Sequence, residues 1–194
     1  NLEDIGAAMS TVAQSAKDLD PTNIEGLTQN ALMLRDTFGY DIQEQMRAVN
    51  MLMDQFGLTG EEAFNLVAQG AQNGLDKNGD LLDSINEYSV HFNQLGLDAE
   101  DMFNSFANGA AAGTFSVDKL GDAVKEFGIR AIDGSDGTKA AFEAIGLSAE
   151  DTAAAFAAGG DKAAAAFEDV TKGLFEMSDP IERNTAGVAL FGTM

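Results

Sequence analysis

The sequence contains no cysteine and one histidine, His91. Without cysteine the chain forms no disulfide and offers no thiolate to a metal ion. The redox state of its compartment therefore cannot be inferred from cysteine content. A single histidine also excludes a zinc site built from several histidines. The metal hypothesis that remains is a site of oxygen ligands for a hard cation such as Ca²⁺.

Basic residues are scarce: 11 Lys and Arg stand against 32 Asp and Glu, for a net charge of −21. This charge repels nucleic-acid phosphates and anionic lipid surfaces, so we expect no direct nucleic-acid binding. No apolar run approaches the roughly 20 residues that a membrane helix needs, and residues 1–4 lack a basic signal-peptide region. We therefore expect no membrane span in this chain.

The chain starts without Met and stops within the apolar-rich segment 190–194. We interpret it as a fragment of a longer protein.

Proline is equally scarce, with only Pro21 and Pro180, while Ala, Leu, Met, Glu and Gln dominate the periodic segments. This composition predicts an all-α protein. In residues 41–57, Met46 and Val49 fall on one helical face that also includes Ile42, Met53 and Phe56. The same reasoning places helices near 2–18, 22–37, 41–56, 59–73, 80–94, 98–112, 116–131, 137–145, 148–158, 160–176 and 180–190.

One short sequence motif recurs between these helices. A glycine ends one helix, an apolar residue follows, and an Asp, Thr or Ser begins the next helix. Glycine accepts the left-handed conformation that closes many helices, and the polar side chain caps the following one. We predict four tight helix-to-helix turns of this kind, at Gly39-Tyr40-Asp41, Gly57-Leu58-Thr59, Gly96-Leu97-Asp98 and Gly146-Leu147-Ser148.

Residues 56–94 align without a gap on residues 95–133, at an offset of 39 residues. Identical pairs include Phe64 with Phe103 and Leu81 with Leu120. A repeating helix pair predicts an array of short antiparallel helical hairpins around a shared core. We expect a repeat subdomain over 1–133 and an alanine-rich helical subdomain over 134–194, or one domain containing both.

The segment 75–88 carries the spacing of an EF-hand calcium loop, with its first, third, fifth and twelfth ligand positions at Asp76, Asn78, Asp80 and Glu87. The loop requires glycine at its sixth position, where this chain has Leu81. The repeat replaces Asp76 with Phe115 and Asp80 with Lys119. We therefore predict a polar turn that starts a helix, with Leu81, Ile85 and Tyr88 facing the core, and no metal bound.

Paired acids at Glu61/Glu62, Glu100/Asp101 and Glu150/Asp151 lie in the first turns of predicted helices. Acids are favoured there by the helix dipole, whereas a catalytic acid needs an apolar pocket that raises its pKa. Ser84 and Ser89 lack a nucleophile motif, and His91 is the one available base. We predict no catalytic residue and no cofactor.

Five segments of the sequence form a distinctive series: residues 56–63, FGLTGEEA; 78–89, NGDLLDSINEYS; 118–130, DKLGDAVKEFGIR; 179–184, DPIERN; and 190–194, LFGTM. Together these segments resemble the tail tape measure proteins of long-tailed bacteriophages and prophages. The resemblance implies a virion protein of the tail lumen, made in the host cytoplasm, that sets tail length and leaves with the DNA. It implies partners among the tail tube, the tail-assembly chaperone and the distal tail proteins, and it leaves self-association open.

A molecular ruler needs a long continuous helix, which gains about 1.5 Å per residue. The 21 glycines of this chain interrupt its helices, so we expect a folded domain of a tape measure protein whose ruler lies elsewhere. The alternatives are a calcium-dependent helical adaptor, a cell-wall lytic domain and an unrelated helical repeat scaffold.

Overall fold

The computed structural model describes residues 2–15, 23–113 and 116–193. In these ranges the chain forms eleven α-helices and no strand, which confirms the predicted all-α class. The helices are α1 (Leu2–Ser15), α2 (Ile24–Phe38), α3 (Ile42–Phe56), α4 (Gly60–Gln72), α5 (Leu81–Gln94), α6 (Ala99–Ala111), α7 (Val117–Arg130), α8 (Asp136–Ala144), α9 (Ala149–Ala158), α10 (Gly160–Glu176) and α11 (Pro180–Phe191).

Every predicted helix is present, and from α3 onward each bound lies within one residue of its prediction. The predicted ends at residues 16–18 and the start at residue 22 lie outside the described residues.

The four predicted turns are confirmed in backbone and side chain. Gly57 has φ 69° and donates its N–H to the Met53 carbonyl at 2.9 Å, closing α3; Gly39, Gly96 and Gly146 also have positive φ. Each following cap accepts a backbone N–H from the next helix. The donors are Gln43 and Glu44 to Asp41, Glu62 to Thr59, Asp101 to Asp98, and Asp151 to Ser148. Local sequence chemistry therefore sets these helix boundaries.

Contacts along the chain group it into two compact units. Unit 1 comprises Asn1–Ser89 with Phe103–Asp118, and unit 2 comprises Val90–Met102 with Lys119–Met194. The expected subdomain boundary between 133 and 134 stays a prediction.

In unit 1, α1 packs on α2 and α3, and α2 and α3 both pack on α4. The Arg35 guanidinium on α2 binds both carboxylate oxygens of Asp4 on α1, at 2.8 and 3.0 Å. Apolar side chains fill the core, among them the fully buried Leu34, Met46, Leu52, Phe64 and Phe106. Leu81, Ile85 and Tyr88 are buried as predicted.

Gln45 is a buried polar side chain that the predicted apolar face of α3 omits. It has no exposed surface, and its Nε2 donates to the carbonyls of Ala31 at 3.2 Å and Tyr40 at 3.1 Å. These bonds tie the start of α3 to α2 and to the turn between them. The buried face of α3 is therefore centred on Gln45, Met46, Ala48, Val49 and Leu52, while Ile42, Met53 and Phe56 are half-buried.

In unit 2, α8 packs on α9 and α11, and α10 packs on the same two helices. An aromatic cluster holds its centre: the ring of Phe127 lies 5.0 Å from Phe156, 5.2 Å from Phe167 and 4.7 Å from Phe191, between centroids. Phe142 stacks on Phe156 at 6.4 Å. Four different helices thus contribute to one cluster with α7, at centroid separations typical of favourable ring pairs.

The structure matches the 39-residue repeat in one pair of helices and departs from it in another. Helix α6 begins and ends 39 residues after α4, whereas α7 begins and ends 36 residues after α5. Buried residues of α5 and α7 still match at 39, as Ile85 does with Val124 and Tyr88 with Phe127. The repeat and the antiparallel hairpin array both stay predictions.

None of the helices in the described ranges has the length and apolar character that crossing a membrane requires.

Candidate functional site

The loop before α5 uses its carboxylates to build the start of that helix. Asp76 Oδ1 accepts the N–H of Leu81 at 2.9 Å, and the Asp76 carbonyl accepts the N–H of Gly79 at 3.1 Å. Asn78 is exposed in the turn, and Glu87 is exposed on α5. This arrangement is a polar turn that starts a helix, as the sequence predicts.

Asp80 and Asp118 join the starts of α5 and α7. Asp80 Oδ2 accepts the N–H of Asp118 at 3.4 Å, and the Tyr88 hydroxyl donates to Asp118 Oδ1 at 2.9 Å. Carboxylates are favoured at these helix starts because backbone N–H groups point towards them. Asp80 and Asp118 therefore hold the starts of α5 and α7 together.

Asp80 Oδ1 and the Ser84 hydroxyl are buried in this region without a hydrogen-bond partner. Burial raises the pKa of Tyr40 above its ordinary value, and the nearby Asp76 carboxylate adds to the rise. Across the described ranges, no three His, Cys, Asp or Glu side chains converge in a way that could hold a metal ion. The absence of metal at Asp76, Asn78, Asp80 and Glu87 stays a prediction.

The paired acids lie in the first turns of α4, α6 and α9, and all six side chains are exposed. Glu62 accepts the Thr59 backbone N–H at 2.8 Å and the Thr59 hydroxyl at 2.9 Å. The backbone bond, followed by the hydroxyl bond, holds the pKa of Glu62 below its usual value. A general acid at neutral pH needs the opposite shift. Glu62 is therefore a helix cap.

The two serine candidates, Ser84 and Ser89, are both buried. Ser89 is fully buried, and its hydroxyl donates to the Ile85 carbonyl one turn earlier at 2.5 Å. Ser84 is buried to 2 % exposure, and His91 is half-buried. A buried serine that bonds its own helix is unavailable to attack a substrate.

The feature that sequence reasoning missed is a groove of about 550 Å³ between α8 and α11. Nine residues line it: Gly137, Ala140, Ala141, Ala144, Ile181, Glu182, Thr185, Ala186 and Ala189. The small residues spaced three and four apart on α8 are the sequence feature that could have indicated the groove. They indicate it only when α11 is known to pack beside α8.

The family model for phage-related minor tail proteins matches residues 1–192. The probable tape measure protein of Streptomyces phage phiC31 is 41 % identical to the chain over 166 residues. That alignment covers 85 % of this chain and 23 % of the relative, so the chain spans less than a quarter of the protein it matches. No solved structure matches the chain. The chain belongs to the family of phage-related minor tail proteins, with the structural role in the phage tail that this membership carries.

Proposed function

We propose that this chain is a folded helical domain of a tape measure protein, acting in tail length determination, tail assembly and DNA ejection, while the ruler lies elsewhere in the parent protein. Its similarity to a probable tape measure protein more than four times as long as the matched region supports this proposal.

The observation that carries it is the shortness of the helices. Within the described residues the longest helix is α10, with 17 residues, which corresponds to about 25 Å at 1.5 Å per residue. A glycine turn ends each of α2, α3, α5 and α8, and a polar cap begins the helix that follows. These helices fold back on one another in compact units, so they supply folded volume and contact surface rather than measured length.

The acidic charge suits passage of DNA through the tail. A protein of net charge −21 repels the phosphate backbone, so DNA would move past it without adhering. The proposed location is the lumen of the virion tail, reached from the host cytoplasm during assembly. The proposed partners are the tail tube, the tail-assembly chaperone and the distal tail proteins. We propose neither an enzymatic activity nor a cofactor for this chain.

The test is an in-frame deletion series in the phage that encodes this chain, with tail lengths measured by electron microscopy. Removing residues 56–94 should abolish assembly or leave tail length unchanged, because this segment is folded. Removing 39 residues from an extended helical region of the parent should shorten tails by about 1.5 Å per residue. Tails shortened in that proportion by the 56–94 deletion would overturn the proposal.

The lytic alternative is tested separately with the purified chain and labelled peptidoglycan. We expect no release of soluble fragments beyond the buffer control, because the candidate acids are exposed in the first turns of helices, without an apolar pocket to raise their pKa. Release that disappears in the Glu62→Gln variant would instead identify an enzyme.

A further inference from the structure

We propose that Asn78 is a site of spontaneous deamidation, at which the backbone nitrogen of Gly79 attacks the side-chain amide and turns it into a carboxylate. This inference concerns the loop between α4 and α5, and it does not depend on the proposed role in the phage tail.

The reaction uses an asparagine, the backbone nitrogen of the next residue, and water. That nitrogen forms a bond to the asparagine Cγ, the bond from Cγ to Nδ2 breaks, and ammonia leaves with the proton that the backbone nitrogen gives up. Water then opens the resulting succinimide ring at either of its two carbonyls, which yields aspartate or isoaspartate. Glycine favours ring closure because it has no Cβ to crowd the attacking nitrogen and leaves the backbone the most freedom to turn.

Three Asn-Gly pairs occur in the sequence: Asn73-Gly74, Asn78-Gly79 and Asn108-Gly109. All three asparagines are exposed in the structure. Exposure therefore does not distinguish them, and the difference lies in what holds each backbone.

Asn108 and Gly109 lie within helix α6. The Asn108 carbonyl accepts the N–H of Ala112 at 2.9 Å, which continues the helical bonding beyond this pair. Succinimide formation draws the next backbone nitrogen towards Cγ and so turns the asparagine ψ away from its helical value of about −42°. The reaction at Asn108 therefore requires the end of α6 to open first.

The pair Asn73-Gly74 closes α4. Gly74 donates its N–H to the Ala71 carbonyl, and Leu75 donates to the Gly70 carbonyl, each at 3.0 Å. Leu75 is also buried, at 6 % exposure, so the residue after the pair is anchored in the core. The reaction here requires the last turn of α4 to open.

The pair Asn78-Gly79 lies in an exposed turn. Residues 77–79 are all exposed, and the Gly79 N–H donates to the Asp76 carbonyl at 3.1 Å, a bond within the turn and outside any helix. Gly79 has φ 73°, and a Cβ added there would meet no heavy atom within 4 Å, so the space beside its α-carbon is open. Ring closure at Asn78 therefore requires the opening of one turn, which costs less free energy than opening part of a helix.

The products alter the turn that starts α5. Isoaspartate adds one carbon to the main chain between residues 78 and 79. Asp76 spans this point twice, because its carbonyl accepts from Gly79 at 3.1 Å and its Oδ1 accepts from Leu81 at 2.9 Å. Isoaspartate therefore loosens the start of α5, and either product adds a carboxylate between Asp76 and Asp80.

The test follows the conversion of amide to acid at each of the three asparagines, by peptide mapping with tandem mass spectrometry, while the purified chain is incubated at neutral pH. The rate in the folded chain is divided by the rate of the same residue in guanidinium chloride, which removes the influence of the neighbouring sequence. We expect this ratio to be at least about tenfold larger at Asn78 than at Asn73 or Asn108. The rate at Asn78 should rise with pH, since the attacking nitrogen must lose its proton.

The matched control variant is Asn78→Gln, which keeps an exposed amide at this position on a side chain one carbon longer. Its ring would have six members and closes far more slowly, so conversion at residue 78 should disappear. Conversion at Asn73 and Asn108 should stay as in the native chain. Unchanged circular dichroism and melting temperature will show that the variant is folded.

Three results would overturn the proposal. One is a ratio at Asn78 no larger than those at Asn73 and Asn108, because the turn would then give no advantage over the helices. Another is aspartate without isoaspartate at residue 78, which would mean that water attacks the side chain directly. The third is conversion in the Asn78→Gln variant as fast as in the native chain, since the Gly79 nitrogen would then not be the nucleophile.

Discussion

The turn at Gly57 and the turn at Gly96 share their local chemistry and differ in their surroundings. Both glycines have positive φ, of 69° and 73°, and both are followed by leucine and a capping side chain. A Cβ added at Gly57 would meet no heavy atom within 4 Å. A Cβ added at Gly96 would lie 2.1 Å from the carbonyl oxygen of Gly160 and 3.1 Å from the Cβ of Ala164.

The difference separates two reasons for glycine. Glycine is needed at position 57 for the backbone conformation alone, because residues with a side chain disfavour the left-handed region of φ and ψ. At Gly96 the start of α10 also occupies the space that a side chain would take. The same short motif is thus a chain reversal in one place and a packing contact in the other.

Gly96→Ala tests this comparison with the largest expected effect. The substitution combines left-handed strain of about 1–2 kcal/mol with an overpacking cost of about 1–3 kcal/mol, because the clash is with backbone. We expect a loss of about 3 kcal/mol or more in the free energy of unfolding, measured with urea. Gly57→Ala is the matched control and should lose about 1–2 kcal/mol. Equal losses in the two variants would show that the approach of Gly160 is without energetic consequence.

Gly160→Ala sharpens the comparison from the other side of the contact. Gly160 has φ 55°, and a Cβ added there meets nothing within 4 Å. The variant should lose about 1–2 kcal/mol from backbone strain alone, and so resemble Gly57→Ala. The same urea unfolding series checks it. A loss as large as that of Gly96→Ala would contradict the view that the close approach constrains only Gly96.

The caps after the two turns should be nearly equal in strength, in contrast to the glycines. Thr59 and Asp98 each accept the backbone N–H of the residue three positions later, at 3.2 and 2.8 Å. Replacing either by alanine should cost about 1 kcal/mol, the usual loss for a removed helix cap. Thermal or urea unfolding of the two variants measures this. A cost above 3 kcal/mol for one variant would mean that its cap has a tertiary role that the structure does not show.

The contrast between the two turns also shows what the sequence predicts. Helix boundaries were predictable because glycine, cap and apolar period act within a few residues of one another. Gln45 was missed, although it lies in phase with Ala48, Val49 and Leu52 on the buried face of α3. Its burial depends on the carbonyls of Ala31 and Tyr40, which the fold supplies from outside α3.

Longer-range features were not predictable from this one sequence. The grouping of Val90–Met102 with the C-terminal helices depends on contacts between segments far apart in the chain. The groove likewise requires α8 and α11 to pack together across the two helices that separate them in sequence. The EF-hand-like residues illustrate the converse, because Asp76 and Asp80 have ligand spacing and yet bond backbone N–H groups at the helix starts.

The smallest expected effect concerns the pKa of Glu62, which distinguishes the cap of α4 from an ordinary surface acid. Its carboxylate accepts the backbone N–H and the hydroxyl of Thr59, so its pKa in the folded chain lies below the ordinary value. A lowered folded pKa means that this bond stabilises the fold above the unfolded pKa and is lost as pH falls through the folded pKa. NMR titration should show the pKa of Glu62 below the ordinary value for glutamate, and Thr59→Ala should raise it part of the way back because only the backbone donor remains. An unchanged pKa in Thr59→Ala would assign the whole shift to the backbone N–H, and the hydroxyl would then have no part in holding the carboxylate.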